Sequence, residues 1–259
     1  MTDLATNLAR PRGRYGVDGD YRLIPAPVLL AGYLLLCLAA ATLAGLWLAS
    51  GRTLPGLGAA IVGVLLIAAG VSVWRFSRRG KFEVWARLLT GLGLRGDERV
   101  LDLGCGRGAV LLIAAKLVPR GSAVGVDIWR ADQTGNSVQA TLANAAAEGV
   151  ADRVELHTRD MTDLQLPDDS FDLVVSNLAI HNLPDHDARR SAIDEAVRVL
   201  RPGGHVVIAD LGFTRLYATR LEQRGMADVR RRDLGWRAWW GLPFFRMHAV
   251  TATKPGPIR

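Results

Sequence analysis

Two long apolar runs without a charged residue stand near the start of the chain, at residues 28–49 and 57–74. As a helix rising about 1.5 Å per residue, the first run crosses roughly 30 Å of hydrocarbon. The connection between the runs is short, and a tight turn is expected at Arg52 and Pro55. The pattern therefore predicts a transmembrane hairpin of two helices. A cleaved secretory signal is the alternative, but the first run begins late and a second run follows it.

Basic residues flank the two runs on their outer sides, whereas the connection carries only Arg52. The flanking residues are Arg10, Arg12, Arg14 and Arg22 before the runs, and Arg75, Arg78, Arg79 and Lys81 after them. The positive-inside bias then predicts that both ends of the chain face the cytoplasm, at the inner or plasma membrane. Small residues at helical spacing, Ala40 with Ala44 and Ala59 with Gly63, predict a close approach of the two helices.

From residue 81 onward the pattern alternates between helical and strand periods. After a helix at residues 82–90, strands are predicted at residues 99–103, 123–128, 154–158, 171–177, 205–210, 228–234 and 247–253. Helices are predicted between them at residues 108–117, 137–148, 188–199 and 214–224. The alternation predicts an α/β fold, a doubly wound, seven-stranded, Rossmann-like sheet that ends in an antiparallel hairpin. The chain then divides into a basic N-terminal segment (1–27), the transmembrane hairpin (28–80) and one α/β domain (81–259).

The chain of 259 residues has a formal net charge of +7 and a pI near 10.1. Such a charge can indicate nucleic acid, but the excess flanks the apolar runs or falls between residues 215 and 237, which favours anionic lipid headgroups. The sequence has neither an RNA-binding aromatic signature nor metal-ligand spacing, so no nucleic-acid partner and no metal are expected. Of the two cysteines, Cys37 lies in an apolar run and Cys105 in a glycine-rich loop, which predicts a reducing compartment without a disulfide.

That loop follows an apolar strand directly, in the sequence Val-Leu-Asp-Leu-Gly-Cys-Gly-Arg-Gly at residues 100–108. Gly104, Gly106 and Gly108 allow a ligand to approach the backbone, and the helix that follows offers free N–H groups. The loop therefore predicts a nucleotide-like ligand. With Ala109 it also satisfies the dinucleotide fingerprint Gly-x-Gly-x-x-Ala, and Asp127 ends the next strand, so a nicotinamide cofactor is an alternative.

Four further motifs follow this loop along the domain: Val-Gly-Val-Asp at 124–127, Arg-Asp-Met at 159–161, Phe-Asp-Leu-Val-Val-Ser-Asn at 171–177 and Leu-Arg-Pro-Gly-Gly at 200–204. With these motifs, residues 81–255 resemble the class I S-adenosylmethionine-dependent methyltransferases, in particular the group that acts on quinones, sterols and other small molecules. The resemblance implies a methyltransferase with S-adenosylmethionine as its cofactor. A nicotinamide enzyme would leave Asp160 and the last motif unexplained.

The resemblance also implies which residues hold the cofactor, namely Asp102, Gly104, Cys105, Gly106, Gly108, Asp127, Ile128, Asp160, Met161 and Asn177. Asp102 matches the residue that orients the methionine amino group, while the loop backbone passes close to the amino-acid portion. Asp127 matches the carboxylate that accepts both ribose hydroxyls, because an ionised carboxylate has enough lone pairs for both.

On the adenine side, the resemblance implies that Asp160 accepts the adenine amino group and that the Met161 backbone lies near the ring. Ile128 or Trp129 is expected to offer an apolar face to the ring, and simple packing is the alternative for Trp129. A polar insertion at residues 130–136 stands where many relatives begin the next helix, so it is expected to reshape this rim.

The stretch 177–181 follows the fourth strand, at the carboxyl edge where open α/β sheets bind ligands. His181 is the predicted catalytic residue, a base that removes a proton from a hydroxyl, thiol or activated carbon during methyl transfer. A histidine that only orients the loop or caps the next helix is the alternative. The aromatic connection at 236–245 is expected at the same edge, where it meets the membrane, meets the substrate or covers the last strands.

The expected substrate class rests on motifs of other methyltransferase groups that this sequence lacks. The fourth strand ends in Ser-Asn-Leu-Ala rather than the Asn-Pro-Pro-aromatic signature of enzymes that methylate adenine or protein glutamine. Cytosine and arsenic methylation use cysteines outside the glycine loop, and only Cys37 stands there. The predicted function is a membrane-anchored methyltransferase for a small hydrophobic acceptor, such as a lipid or quinone. A methyltransferase for a diffusible thiol or phenol, and a non-catalytic S-adenosylmethionine-binding membrane subunit, are the alternatives.

Overall fold

Seven strands form one mixed sheet in the computed structural model, which describes residues 2–19, 23–130, 135–241 and 245–256. The strands are β1 (Arg99–Leu103), β2 (Ser122–Asp127), β3 (Val154–Thr158), β4 (Phe171–Asn177), β5 (Leu200–Asp210), β6 (Ala227–Asp233) and β7 (His248–Thr253). Their order across the sheet is β3-β2-β1-β4-β5-β7-β6. Neighbours pair in parallel except at β7, which is antiparallel to β5 and β6. The predicted Rossmann-like sheet with its closing hairpin is therefore confirmed.

Helices cover both faces of this sheet. The α-helices of the described residues are α1 (Thr2–Leu8), α2 (Ala26–Ala49), α3 (Thr53–Arg75), α4 (Lys81–Thr90), α5 (Ala109–Leu117), α6 (Val138–Glu148), α7 (His186–Val199) and α8 (Thr214–Gln223). Successive residues of a strand point to opposite faces, so Val100 packs into the core with α4 and α5, whereas Leu101 and Leu103 pack with α7 and α8. The sheet is thus doubly wound, with one apolar core on each side.

Most predicted boundaries lie within one or two residues of the observed ones, but those at the starts of β5 and α3 lie further away. β5 begins at Leu200 rather than at residue 205, because Leu200 pairs with Phe171 and the Gly203 amide donates to the Lys254 carbonyl at 2.7 Å. α3 begins at Thr53, so Pro55 lies in the first helical turn instead of the connecting turn. Proline is tolerated there because the first N–H groups of a helix have no partner within it.

α2 and α3 are long and apolar enough to cross a membrane by length and composition, with mean hydropathies of 2.2 and 2.3 over their most apolar stretches. They pack against each other, and Ala40, Ala44 and Gly63 are buried between them as the spacing predicted. Ala59 is only half-buried. Elsewhere the two helices leave large apolar side chains exposed, with only 11% of each stretch buried.

No break separates α3 from the first helix of the α/β domain. α3 continues through a π-helical turn (Phe76–Gly80) into α4, which buries Phe82 and Trp85 against the sheet. The second apolar helix and the first helix of the domain therefore form one helical segment.

Residues 10–18, here called the N-terminal strap, lie across the domain ahead of α2. The amides of Arg12 and Gly13 donate to Glu148 of α6 at 2.7 and 3.0 Å, and the Tyr15 hydroxyl donates to the same oxygen at 2.8 Å. Burial tends to raise the pKa of Glu148, but hydrogen bonds from Lys116, Gly13 and Tyr15 outweigh it and lower that pKa. Glu148 therefore fastens the strap to the domain as a charged group.

Candidate active site

The loops after β1, β2, β4 and β5 meet at the carboxyl edge of the sheet, and each contains a residue in the left-handed region. After β2, β4 and β5 these residues are Trp129 (φ 57°), Leu178 (φ 53°) and Phe213 (φ 55°), none of them glycine. Such backbone strain is uncommon and clusters at functional sites. Three of the six non-glycine residues with positive φ among the described residues thus lie at this edge, which favours it as the site.

The loop after β1 is the predicted glycine loop. Gly104 has φ 71°, its amide donates to the Val126 carbonyl at 2.8 Å, and a Cβ at this position would overlap the Cβ of Ala179. Gly108 has φ 83° and caps α5. The thiol of Cys105 is turned inward beside Gly125, and burial raises its pKa well above the ordinary value. Cys105 therefore contributes backbone to the site, and its side chain packs.

A small cavity opens beside this loop, lined by residues that include Asp102, Asp127 and Asn177. Asp102 is 1% exposed, and its Oδ1 has no hydrogen-bond partner among the described residues. Burial, with a smaller contribution from the charge of Asp127, raises the pKa of Asp102 to about 8. A backbone hydrogen bond from Leu111 opposes this rise in pKa but leaves Oδ1 unsatisfied. A buried carboxyl oxygen without a partner is costly unless a cation or donor satisfies it, so the position suits a ligand ammonium group.

Asp127 ties the glycine loop to the end of β2. Its two oxygens accept hydrogen bonds from the amides of Gly106 at 2.8 Å and Trp129 at 2.6 Å. Burial raises the pKa of Asp127, and these backbone hydrogen bonds oppose the rise. Each carboxylate oxygen can accept more than one hydrogen bond, which leaves capacity for the hydroxyls of a ribose.

The residues expected on the adenine side lie beyond this cavity, at the ends of β2 and β3. Asp160 is exposed, and its Oδ1 accepts from the Thr162 amide and hydroxyl at 2.8 Å each. The Met161 side chain contacts the glycine loop at Gly104. Ile128 is 37% exposed, and the Trp129 indole donates to Thr158 at 2.8 Å. Of the polar insertion, residues 131–134 lie outside the described residues.

Asn177 at the end of β4 is held by a residue that the sequence did not indicate. The indole N–H of Trp85 in α4 donates to Asn177 Oδ1 at 2.8 Å, and Trp85 is 1% exposed. The orientation of the Asn177 amide at the cavity therefore depends on the packing of α4.

His181 follows in the short helix Ile180–Asn182, where its Nδ1 lies 2.6 Å from Oδ1 of Asp210. Asp210 ends β5 fully buried and also accepts from the Tyr217 hydroxyl at 3.2 Å and the Leu211 amide at 2.7 Å. With the Nδ1 proton directed at a carboxylate, Nε2 is the nitrogen that can accept a proton. The sequence offered one indication of Asp210. It is the last residue of a predicted strand, and Asp102 and Asp127 are each the last residue but one of theirs.

The N-terminal strap also reaches the cavity. Asp18 lines it and forms an ion pair with the buried Lys81 ammonium, at 2.9 and 3.0 Å, while its amide donates to the Ser77 hydroxyl at 3.3 Å. Ser77 lies in the π-helical turn below α3. No sequence motif indicated this contact, because the strap has no regular pattern.

A family model described as a methyltransferase domain matches residues 94–232, more than half of the chain. The chain belongs to this methyltransferase family. S-adenosylmethionine is its cofactor. The residues at the carboxyl edge fit this compound, because Asp102 has an unsatisfied oxygen for a cation, the glycine loop allows close approach to the backbone, and Asp127 can accept hydrogen bonds from hydroxyls. The sheet supports the same assignment, because antiparallel β7 between β5 and β6 departs from the 3-2-1-4-5-6 order of dinucleotide-binding sheets.

Curated relatives share part of their length with this chain. It is 36% identical over 134 residues to an arsenite methyltransferase of Aquipseudomonas alcaligenes, covering 48% of this chain and 36% of that protein. It is 36% identical over 126 residues to the 27-O-demethylrifamycin SV methyltransferase of Amycolatopsis mediterranei, covering 48% and 42%. The chain thus spans less than half the length of these two relatives.

Among solved structures, the geranyl diphosphate C-methyltransferase of Streptomyces coelicolor A3(2) superimposes with a TM-score of 0.55 at 15% identity. The match covers 70% of this chain and 82% of that one. At this identity the likeness establishes the fold.

Proposed function

We propose that this methyltransferase transfers the methyl group of S-adenosylmethionine to a small hydrophobic molecule that reaches the site from a membrane. The observation that carries the proposal is the short path from the apolar helices to the cavity. α3 continues into α4, whose Trp85 bonds Asn177, and Ser77 in the turn between them bonds Asp18. An acceptor in hydrocarbon beside α3 would therefore lie close to the cavity that Asp18 and Asn177 line.

The hairpin of α2 and α3 is proposed as the membrane anchor. Its large apolar side chains are mostly exposed in the described structure. Soluble proteins rarely expose contiguous apolar surface of this extent, and a bilayer covers it without a further partner. The flanking arginines favour a cytoplasmic location for both ends and for residues 81–259, at the inner or plasma membrane.

The aromatic connection supports the same orientation. The guanidinium groups of Arg75 and Arg237 each lie over the Trp236 ring, 4.3 and 4.5 Å from its centroid. The Ser72 hydroxyl donates to the Trp239 carbonyl at 3.1 Å. Residues 242–244 of this connection lie outside the described residues. Tryptophan beside arginine suits the headgroup depth of a membrane, so the end of α3 is proposed to lie at that level.

The bound cofactor supplies an electrophilic methyl group on a positively charged sulfur. His181 would accept at Nε2 the proton that the acceptor loses when it takes the methyl group, and sulfur, as the leaving group, would keep the electron pair of its bond to that carbon. Asp210 keeps the ring oriented and stabilises the imidazolium that forms. Asp102 and Asp127 align the cofactor, since methyl transfer depends chiefly on alignment and exclusion of water.

Two observations bear on other acceptors and roles. The pair formed by His181 and Asp210 favours a catalytic protein over a subunit that only binds the cofactor, because it supplies an oriented base. Arsenite, which gives one relative its name, is a soft acceptor that favours thiolates. Here Cys37 lies in α2 and Cys105 is buried, so arsenite is disfavoured.

The test is the fate of a labelled methyl group. The full chain in lipid nanodiscs is incubated with methyl-labelled S-adenosylmethionine and extracts of the source membranes and cytosol. We expect label in the organic phase, its loss in His181→Ala, and its retention in the control His157→Ala. Label confined to the aqueous phase would favour a diffusible thiol or phenol. No label in either phase, with the cofactor bound, would favour the non-catalytic subunit.

A further inference from the structure

A second, larger opening lies on the other side of the N-terminal strap. This open groove of about 1480 Å³, here called the basic groove, is bounded by α1, the strap and the π-helical turn. It shares no lining residue with the cofactor cavity, because the strap turns Tyr15 to the groove and Asp18 to the cavity. The proposed methyl transfer makes no use of it.

The basic groove gathers arginines from three separate parts of the chain. The strap contributes Arg10 and Arg14, the π-helical turn contributes Arg78 and Arg79, and α4 contributes Arg87. All five side chains belong to exposed residues, and none forms an ion pair with a carboxylate among the described residues. Arginines brought together without counter-charges create a strongly positive potential that favours an anion.

The charge of the groove is not neutralised from within. Glu83 is the one carboxylate among its described lining residues, and it is engaged by Arg75 at 3.8 Å and Arg237 at 3.1 Å. Arg107 also lines the groove and donates to the carbonyls of Arg14 and Gly135. Burial, together with the charge of Arg14, lowers the pKa of Arg107, as expected for a cation crowded by another.

The position of the groove beside an apolar helix indicates which class of anion it would bind. The exposed Trp74, in the last turn of apolar α3, forms part of its wall. A guanidinium group can donate two parallel hydrogen bonds to two oxygens of one phosphate. The hydrocarbon chain of an amphiphile bound in this way can lie along apolar α3. We propose that the basic groove binds a phosphate group, supplied in the first place by a phospholipid headgroup. The site goes beyond the proposed function and does not depend on methyl transfer.

The test uses the full chain in maltoside detergent, titrated with dodecyl phosphate in one arm and inorganic phosphate in another. We expect saturable binding of dodecyl phosphate. The variant R78Q/R79Q/R87Q should weaken this affinity on the order of 100-fold, because each arginine removed should lower it by about tenfold or less. The matched control R215Q/R230Q/R232Q removes the same charge from exposed arginines outside the groove and should keep the affinity of the parent chain.

Both triple variants should still bind S-adenosylmethionine, which separates a failure here from a failure of the proposed function. Binding of dodecyl phosphate but not of inorganic phosphate supports a lipid headgroup as the source. Comparable binding of both probes, lost only in the groove variant, supports the phosphate site with a free phosphorylated ligand. Equal losses in the two triple variants, or no saturable binding of either probe, would overturn the proposal.

Discussion

The two halves of the carboxyl edge are assembled in different ways. The cofactor half uses Asp102, the glycine loop and Asp127, which all lie between residues 102 and 127 on β1, β2 and the loops after them. The acceptor half joins His181 of the short helix Ile180–Asn182 to Asp210 of β5, and at its border with the cofactor half Trp85 of α4 holds Asn177 of β4, so four elements contribute. A short stretch of sequence therefore supplies the central residues of the cofactor half, whereas the acceptor half depends on tertiary packing. Changes in one half should leave the function of the other intact.

The largest effect is expected from His181→Ala. Removal of a positioned base lowers the rate of methyl transfer by about 10²- to 10⁴-fold, with the Kd for S-adenosylmethionine unchanged. Single-turnover transfer and calorimetric titration measure the two quantities. Added imidazole should restore part of the rate if His181 is the base.

Asp210→Asn sharpens the same test, because it removes the charge that orients the ring. We expect a lower kcat with an unchanged KM for the cofactor. His157→Ala, which removes a histidine from β3, is the control. A rate unaffected by His181→Ala, or an equal loss of cofactor affinity, would contradict the separation of the two halves.

The strap should show the next largest effect, on stability. Asp18→Ala leaves the Lys81 ammonium buried without its carboxylate, and breaking one side of a buried pair costs about 3 kcal/mol in free energy of unfolding. The double variant Asp18→Ala/Lys81→Met should recover much of that loss. Asp97→Ala, in an exposed pair with Arg95, should change stability by less than about 1 kcal/mol. Denaturant unfolding measures all three, and equal losses in the two single variants would refute the role of the strap.

Asp127→Ala breaks the cofactor half. The variant loses the two hydrogen bonds that the ribose hydroxyls are expected to donate to the Asp127 carboxylate. This loss should raise the Kd for S-adenosylmethionine on the order of 100-fold. Asp163→Ala removes an exposed carboxylate from the connection between β3 and β4 and should leave the Kd unchanged. Transfer at saturating cofactor should stay within a few-fold of the parent rate, and a large loss there would show that the halves are coupled.

Asp102 gives the smallest and most diagnostic effect. Because its pKa is raised from 3.8 to about 8, the folded chain binds more protons than the unfolded chain between these values. Its contribution to stability is thus fully present below pH 3.8 and falls as the pH rises toward 8. Pairing with the cofactor ammonium requires the ionised form, so affinity should rise about tenfold between pH 6 and pH 7, with proton release on binding. Asp102→Asn should abolish the proton release and stabilise the free chain at neutral pH. A pH-independent Kd in the parent chain would contradict the assignment.

The same division explains what the sequence could predict. Hydrophobic periodicity is local, so β1, β3 and β4 occupy the predicted residues, and the glycine loop and Asp127 follow from a nearby motif. Trp85 could not be predicted, because its bond to Asn177 joins positions 92 residues apart and exists only once α4 packs on the sheet. Asp18 likewise depends on a strap whose polar groups are satisfied by tertiary partners. Asp210 could have been proposed, because it ends a predicted strand at the edge already assigned to the ligand.

The most direct measurement is calorimetric titration of the detergent-solubilised full chain with S-adenosylmethionine and with S-adenosylhomocysteine. We expect one saturable site for each compound, weakened by Asp127→Ala and retained in His181→Ala. A cooperatively folded chain that binds neither compound would contradict this expectation.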